Sequence, residues 1–220
     1  MILGSLEAVR RYPIKSMRGE ALEFADVTAG GIPGDRAAAL LIRAGHARAG
    51  KTYRGKEDER LHLLGDAGAA LARARSRGVD LAIAHGEHFF DDAPVSLLVD
   101  RWLDELCDAV GYRVQWERFR PNFLVEAAPG FGLQESELVG SLLHLGAVGL
   151  RVRSPIERCV AVTYHPQGDA SDPRVLRYIA QQRNGWMGIY CDVVRAGTVR
   201  VGDPLIKEAP LNGASTPHTR

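Results

Sequence analysis

LLHLGAVGLRVRSPIERCVAVT, residues 142–163, carries the pattern that decides the fold class. Leu142 to Leu145 is a short apolar run of strand length, and Val148, Leu150 and Val152 recur at the two-residue period of a half-buried strand. Val160 to Thr163 is a third candidate strand, opening at the charged stretch Pro155-Ile156-Glu157-Arg158-Cys159. Short strands following one another in this way point to a β-barrel-rich architecture.

The same texture extends in both directions. Leu3 to Tyr12 is extended and stops at Pro13. Leu22, Phe24 and Val27 form a second candidate strand that ends at the turn-rich residues 30–35, and Ala37 to Ile42 reads as a buried strand. Residues 43–60 are polar and read as a surface loop; Val79, Leu81 and Ile83 alternate as another strand. Downstream, strands are expected at Val114/Trp116, Phe123 to Val125, Met187 to Val193 and Thr198 to Val201, the last closing on a Gly202-Asp203 turn. Helices are few. Gly65 to Arg77 is alanine-rich, Asp100 and Gly111 bracket an apolar stripe of Leu103, Leu106, Cys107 and Val110, and Asp172 with Pro173 opens a helix whose Leu176 and Ile179 face inward. The chain is therefore mainly β with a few helices, a β-rich α+β protein of barrel type rather than a doubly wound one. Its character changes near Asp91-Asp92-Ala93-Pro94, which divides it into 1–90, 91–207 and a tail at 208–220 expected to be disordered.

Composition narrows the function. With 220 residues, 45% hydrophobic and 25% charged, the chain has the balance of a soluble globular protein. No apolar run approaches the roughly 18–20 residues of a membrane span, and no signal-peptide pattern follows Met1, so no membrane role and a cytoplasmic location are expected. Lys+Arg 28 against Asp+Glu 27 gives a net charge of +1, so a nucleic-acid partner is not expected. Lysine occurs only at 15, 51, 56 and 207, a bias that genomic base composition explains and that makes each lysine worth inspecting. Cys107, Cys159 and Cys191 form no C-x-x-C pair, which argues against a zinc ribbon, a thioredoxin motif or a four-cysteine iron–sulfur cluster. No G-x-G-x-x-G or Walker A loop is present.

Four stretches place polar groups beside turns: residues 11–16, Gly34-Asp35-Arg36, residues 118–122 and residues 155–159. Taken singly, each has an ordinary structural reading. Lys15 and Ser16 can be a solvated strand end, Arg36 a local ion pair with Asp35, Arg120 a cover for apolar surface, Asn122 a turn residue and Cys159 a small buried hydrophobe. Taken together, Lys15, Arg36, Arg120 and Arg158 supply cationic donors suited to phosphate, and Ser16 and Asn122 supply neutral hydrogen bonds. Arg158 beside Cys159 favours a thiolate, the form that reacts or binds soft metals. One thiolate among anion-binding groups suits an anionic, metal-bearing cofactor.

These stretches resemble the MOSC family, named for the C-terminal domain of molybdenum cofactor sulfurase, together with its N-terminal β-barrel partner. The resemblance runs in order through residues 12–16, 34–36, 94–98, 119–122, 157–159 and 199–204, over about residues 1 to 205. It implies two β-barrel-like parts of the MOSC, pyruvate-kinase-type barrel kind, with a molybdenum cofactor (a molybdopterin) in the cleft between them. It implies that Cys159 matches the molybdenum-ligating cysteine of the mitochondrial amidoxime-reducing branch. Lys15, Ser16, Arg36, Arg120 and Asn122 match positions that hold the pterin and its phosphate, and Thr52 with Arg54 matches a further Thr-x-Arg contact. Two departures stand out: Ala38 where members often have an aromatic residue, and Ala93 where a small polar one is common. The implied activity is reduction of a small N-hydroxylated substrate, fed by a separate flavin or iron–sulfur electron donor. A sulfur carrier with a persulfide on Cys159 and a cofactor-storage module are the alternatives.

Overall fold

The computed structural model describes residues 1–86 and 89–209. Seven strands close into a barrel in the order β12 (Pro204–Lys207), β8 (Leu142–Leu145), β9 (Val148–Glu157), β10 (Trp186–Arg195), β6 (Val95–Val99), β7 (Phe123–Ala127) and β1 (Ile2–Arg11), with β1 returning to β12. The short strand β2 (Glu20–Leu22) hangs on β1. All barrel pairings are antiparallel except β6 with β7, which are parallel. Parallel neighbours need a crossover, and helix α2 (Arg101–Val110) lies in it. Closure removes the free edges that short strands would otherwise expose.

The barrel core is aliphatic. Leu3, Leu6 and Val9 of β1 point inward with Leu97, Val125, Leu143, Leu150 and Ile189, all at most 1% exposed. β1, which belongs to the first of the segments expected from the sequence, is thus hydrogen-bonded into the large sheet between β7 and β12. Residues 38–85 of the N-terminal segment build a smaller body. There β4 (Ala38–Ala44) pairs with β5 (Asp80–His85), and α1 (Ala67–Ser76) packs its Ala70 and Ala74 against Leu40, Ile42 and Leu61. A two-stranded sheet of β3 (Phe24–Val27) and β11 (Gly197–Arg200), the short α3 (Glu135–Leu138) and α4 (Pro173–Gln182) complete the fold.

Several local expectations need correction. Trp116–Phe119 and Val160–Thr163 are 3₁₀ turns, not strands. Their apolar runs are too short for periodicity to separate a strand from a tight turn, and the second is tied down by Arg118 Nη1, which donates to the Thr163 carbonyl (2.7 Å). The buried strand β6 was not anticipated, since its five residues alternate with nothing. Asp100 has helical backbone angles and caps nothing; its Oδ1 accepts from Ala127 N (2.9 Å) and ties the start of α2 to β7. Asp172 does cap α4, accepting from Arg174 N, and Gly111 ends α2 with φ 81°. Residues 210–220 of the expected tail lie outside the described residues.

Because β1 shares one core with the other barrel strands, Leu6→Ala should lower the unfolding free energy by about 2–5 kcal/mol, as Leu150→Ala should, in urea melts. A loss at Leu6 below about 0.5 kcal/mol would show that β1 is dispensable to the barrel.

Candidate functional site

A cavity of about 330 Å³ lies where the barrel meets the smaller body. That is large enough for a small ligand. It is lined by the end of β1, the turn after it, the 54–56 loop, the two 3₁₀ turns and the end of β9. Its charge is lopsided. Nine lining residues are Lys or Arg, against three carboxylates, Asp91, Glu117 and Glu157. A chain of net charge +1 has therefore gathered its excess of cations at one place.

Tyr12 organises the cationic wall. Its ring is buried, its N–H donates to Asp35 Oδ1 (2.7 Å) and its hydroxyl donates to the Pro121 carbonyl (3.1 Å). The guanidinium of Arg120 packs on this ring at 4.2 Å from the centroid and that of Arg36 at 4.9 Å. Arg36 is also paired with Asp35, donates to the Arg120 carbonyl (3.2 Å), and reaches Asn122 Oδ1 (3.4 Å). Burial works against the Arg36 charge, but Asp35 and Tyr12 outweigh it and hold the group above its ordinary value. Arg120 has no such carboxylate partner, and burial lowers it to about 10. It remains charged at neutral pH, with Nη2 buried and unpartnered.

Arg158 lines the same cavity. Its Nε donates to the Met187 carbonyl (2.7 Å) and its Nη1 to the Phe119 carbonyl (3.0 Å), while Nη2 is buried without a partner. Burial lowers this guanidinium, too, to about 10. Leaving a buried donor unpaired costs about 1–3 kcal/mol; besides Arg120 and Arg158, the lining residues Arg10, Arg54 and His62 each have one buried ring or guanidinium nitrogen without a hydrogen-bond partner. Cys159 follows Arg158 and lines the same cavity as a free, half-buried thiol. Lys15 reaches across to Asp91 (2.5 Å), which it holds below the usual carboxylate range against the effect of burial.

Backbone geometry singles out the same residues. Among the described residues four non-glycine positions have positive φ, and three of them, Ser16 (67°), Arg36 (48°) and Arg120 (51°), line the cavity. Left-handed backbone costs about 1–3 kcal/mol at each such residue and survives where the surroundings over-determine it. Here hydrogen bonds of the turns supply the determination, among them Arg36 N to the Tyr12 carbonyl (2.7 Å).

Of the residues singled out from sequence, Lys15, Ser16, Arg36, Arg54, Arg120, Arg158 and Cys159 line the cavity together. Asn122 stands behind it, 1% exposed, accepting from Ser96 N and Arg36 and donating to the Arg10 carbonyl. Thr52 bridges to Leu41 outside the lining, whereas Arg54 two residues on lies within it. Ala38 and Ala93 are buried and off the lining; Ala38 instead accepts from Lys15 N (2.9 Å). Sequence reasoning missed Arg10, which shares a strand face with Tyr12 two residues on, and Arg118, which lies within a stretch already singled out. It also missed His62, which stacks on Tyr164 at 5.8 Å and whose Nε2 bonds the His165 carbonyl (2.8 Å). Burial lowers the His62 ring's pKa below its ordinary value. Cys107 and Cys191 are spent elsewhere: Cys107 Sγ accepts from Val114 N (3.2 Å), and Cys191 is fully buried, which pushes its thiol up.

The MOSC domain family profile matches residues 84–206, more than half of the chain. Among curated proteins none matches. The fold is shared with solved structures, among them the following two. The YuaD protein of Bacillus subtilis aligns over 93% of this chain and 94% of its own at 20% identity, with a TM-score of 0.56. A hypothetical protein aligns over 95% of this chain and 70% of its own at 15% identity, with a TM-score of 0.50. No described helix is long and apolar enough to cross a membrane.

Since burial lowers the Arg120 and Arg158 guanidinium groups to about 10, binding of inorganic sulfate, an anion that does not itself titrate in this range, should weaken as pH rises through about 10. Calorimetric titration, with circular dichroism as the folding control, checks this. An affinity that held constant from roughly pH 8 to 11 would contradict it.

Proposed function

Because the chain belongs to the MOSC domain family, we propose that its cavity binds the molybdenum cofactor and that the protein is an oxidoreductase acting on N-hydroxylated substrates. The observation that carries the reading is one cavity lined by nine Lys and Arg residues, Arg120 and Arg158 among them, together with the Cys159 thiol. The donor set suits such a group. Among the described residues no cluster of three His, Cys, Asp or Glu side chains could hold a bare metal ion. A metal at this place would need to arrive with most of its ligands, as it does in a cofactor that chelates it, with Cys159 adding one thiolate.

Each residue then has a task. Lys15, Arg36, Arg120 and Arg158 bind the phosphate and pterin oxygens by charge-assisted hydrogen bonds, and Ser16 and Arg54 line the same wall. Asn122 acts through Arg36, holding its guanidinium with Oδ1. Cys159 is the protein's ligand to the metal. When bound, the group supplies a two-electron redox centre able to reduce an N–O bond, so a hydroxylamine takes up two electrons and two protons to give an amine and water. The electrons come from a separate flavin or iron–sulfur protein, because three dispersed cysteines hold no cluster and the chain has no dinucleotide fingerprint.

The test is metal content in protein made in a cofactor-competent host, for the parent and for Cys107→Ser, Cys159→Ser and Cys191→Ser. The expected result is one molybdenum per chain, lost in the Cys159 variant alone, with hydroxylamine turnover that needs an added reductase or a viologen donor. A labile sulfane sulfur on Cys159 without metal would replace this reading by a persulfide carrier. A molybdenum-loaded protein inert with every donor would make it a storage module.

A further inference from the structure

Strand β10 carries one residue more than β9 between paired positions. Trp186 faces Glu157 and Ile189 faces Pro155, so three steps on β10 span two on β9, a β-bulge. Gly188 sits in the bulge with φ 87°. Two of the bulge's backbone groups are taken by side chains. The Gly188 N–H donates to Glu135 Oε1 (3.1 Å), and the carbonyl of Met187 accepts from Arg158 Nε (2.7 Å). The Arg158 guanidinium lies so close over the glycine that a Cβ there would stand 3.1 Å from Nη2 and 2.9 Å from the Leu97 carbonyl.

Glu135 is 3% exposed, and its other oxygen accepts from Arg183 Nη2 (2.7 Å), itself buried. Such a pair contributes little to stability compared with an apolar replacement, so its presence calls for another reason. From Arg183 the contacts run without a break to Glu135, to the Gly188 N–H, across one peptide to the Met187 carbonyl, and into the cavity at Arg158. The Glu135 carboxylate also favours the charged form of Arg158.

We propose that Glu135, held by Arg183, is a positioning residue for anion binding: it fixes the Gly188 bulge on which Arg158 rests and so fixes the place of the Arg158 guanidinium at the cavity wall. The proposal rests on the reading of the cavity as an anion site, and it places a determinant of that site on α3, outside the cavity lining.

A double-mutant cycle separates positioning from general destabilisation. The probe is inorganic pyrophosphate, titrated calorimetrically into the full chain, with urea melts run in parallel. Arg158→Ala should weaken binding by about ten-fold or more, the size expected for a lost charge-assisted hydrogen bond. Glu135→Gln should weaken it several-fold in the parent and not at all in the Arg158→Ala background, while its cost in the melts is the same in both. Gly188→Ala, which crowds Arg158 directly, should reproduce that pattern if the Glu135 variant folds poorly. Additive losses of affinity, or full affinity in both Glu135→Gln and Gly188→Ala, would overturn the positioning role. If Arg158→Ala itself left binding unchanged, the fault would lie with the anion-site reading instead.

Discussion

The ring of Tyr12 carries the guanidinium groups of both Arg36 and Arg120, and the arrangement of the cavity follows from that contact. Two cations side by side repel each other, and water would screen them better than protein does. The aromatic face offsets part of that cost, a cation–π contact being worth about 0.5–2 kcal/mol. The polar atoms of Tyr12 do the rest. Its N–H engages Asp35, its carbonyl accepts from Arg36 N and its hydroxyl bonds the Pro121 carbonyl. One residue at the end of β1 thereby ties together the turn before β4 and the turn before β7, which are far apart in sequence and carry the two arginines.

The barrel gives this junction its rigidity. β1 and β7 are hydrogen-bonded neighbours, so the turns at their ends are held at a fixed separation. Tight turns at Ser16, Arg36 and Arg120 then force left-handed backbone on residues that are not glycine. The side chains chosen there are the ones able to contact an anion, which is the physical sense of keeping them despite the strain. The charge distribution has the same logic. A near-neutral chain remains free of a long-range cationic field, while nine basic groups around a small cavity make a strong local one.

Much of the fold was legible because alternation and caps are local signals. The alternating Met187, Ile189 and Cys191 are fully buried on β10, and Asp172 caps α4 as its sequence implies. What was not legible depends on partners distant in the chain. Val160–Thr163 has the composition of a strand and becomes a 3₁₀ turn tied to Arg118, 45 residues upstream. Asp100 has the chemistry of a cap and spends it on Ala127. The same division holds for the cavity. Arg36, Arg120 and Arg158 stand beside turns and could be picked out, whereas Asp91 meets Lys15 across 76 residues with no local sign. Asn122 stands out in the sequence as a hydrogen-bonding residue, but its position behind Arg36 is a property of packing alone.

Arg120 and Arg158 line one cationic cavity that we propose takes a single anionic ligand. A crystal structure of the protein soaked with inorganic pyrophosphate tests it most directly. The expected result is phosphate density in the cavity, with oxygens within hydrogen-bond distance of the Arg120 and Arg158 guanidinium groups and the Tyr12 ring unmoved. Both guanidinium groups capped by backbone carbonyls or ordered water, with the anion bound elsewhere or not at all, would contradict it.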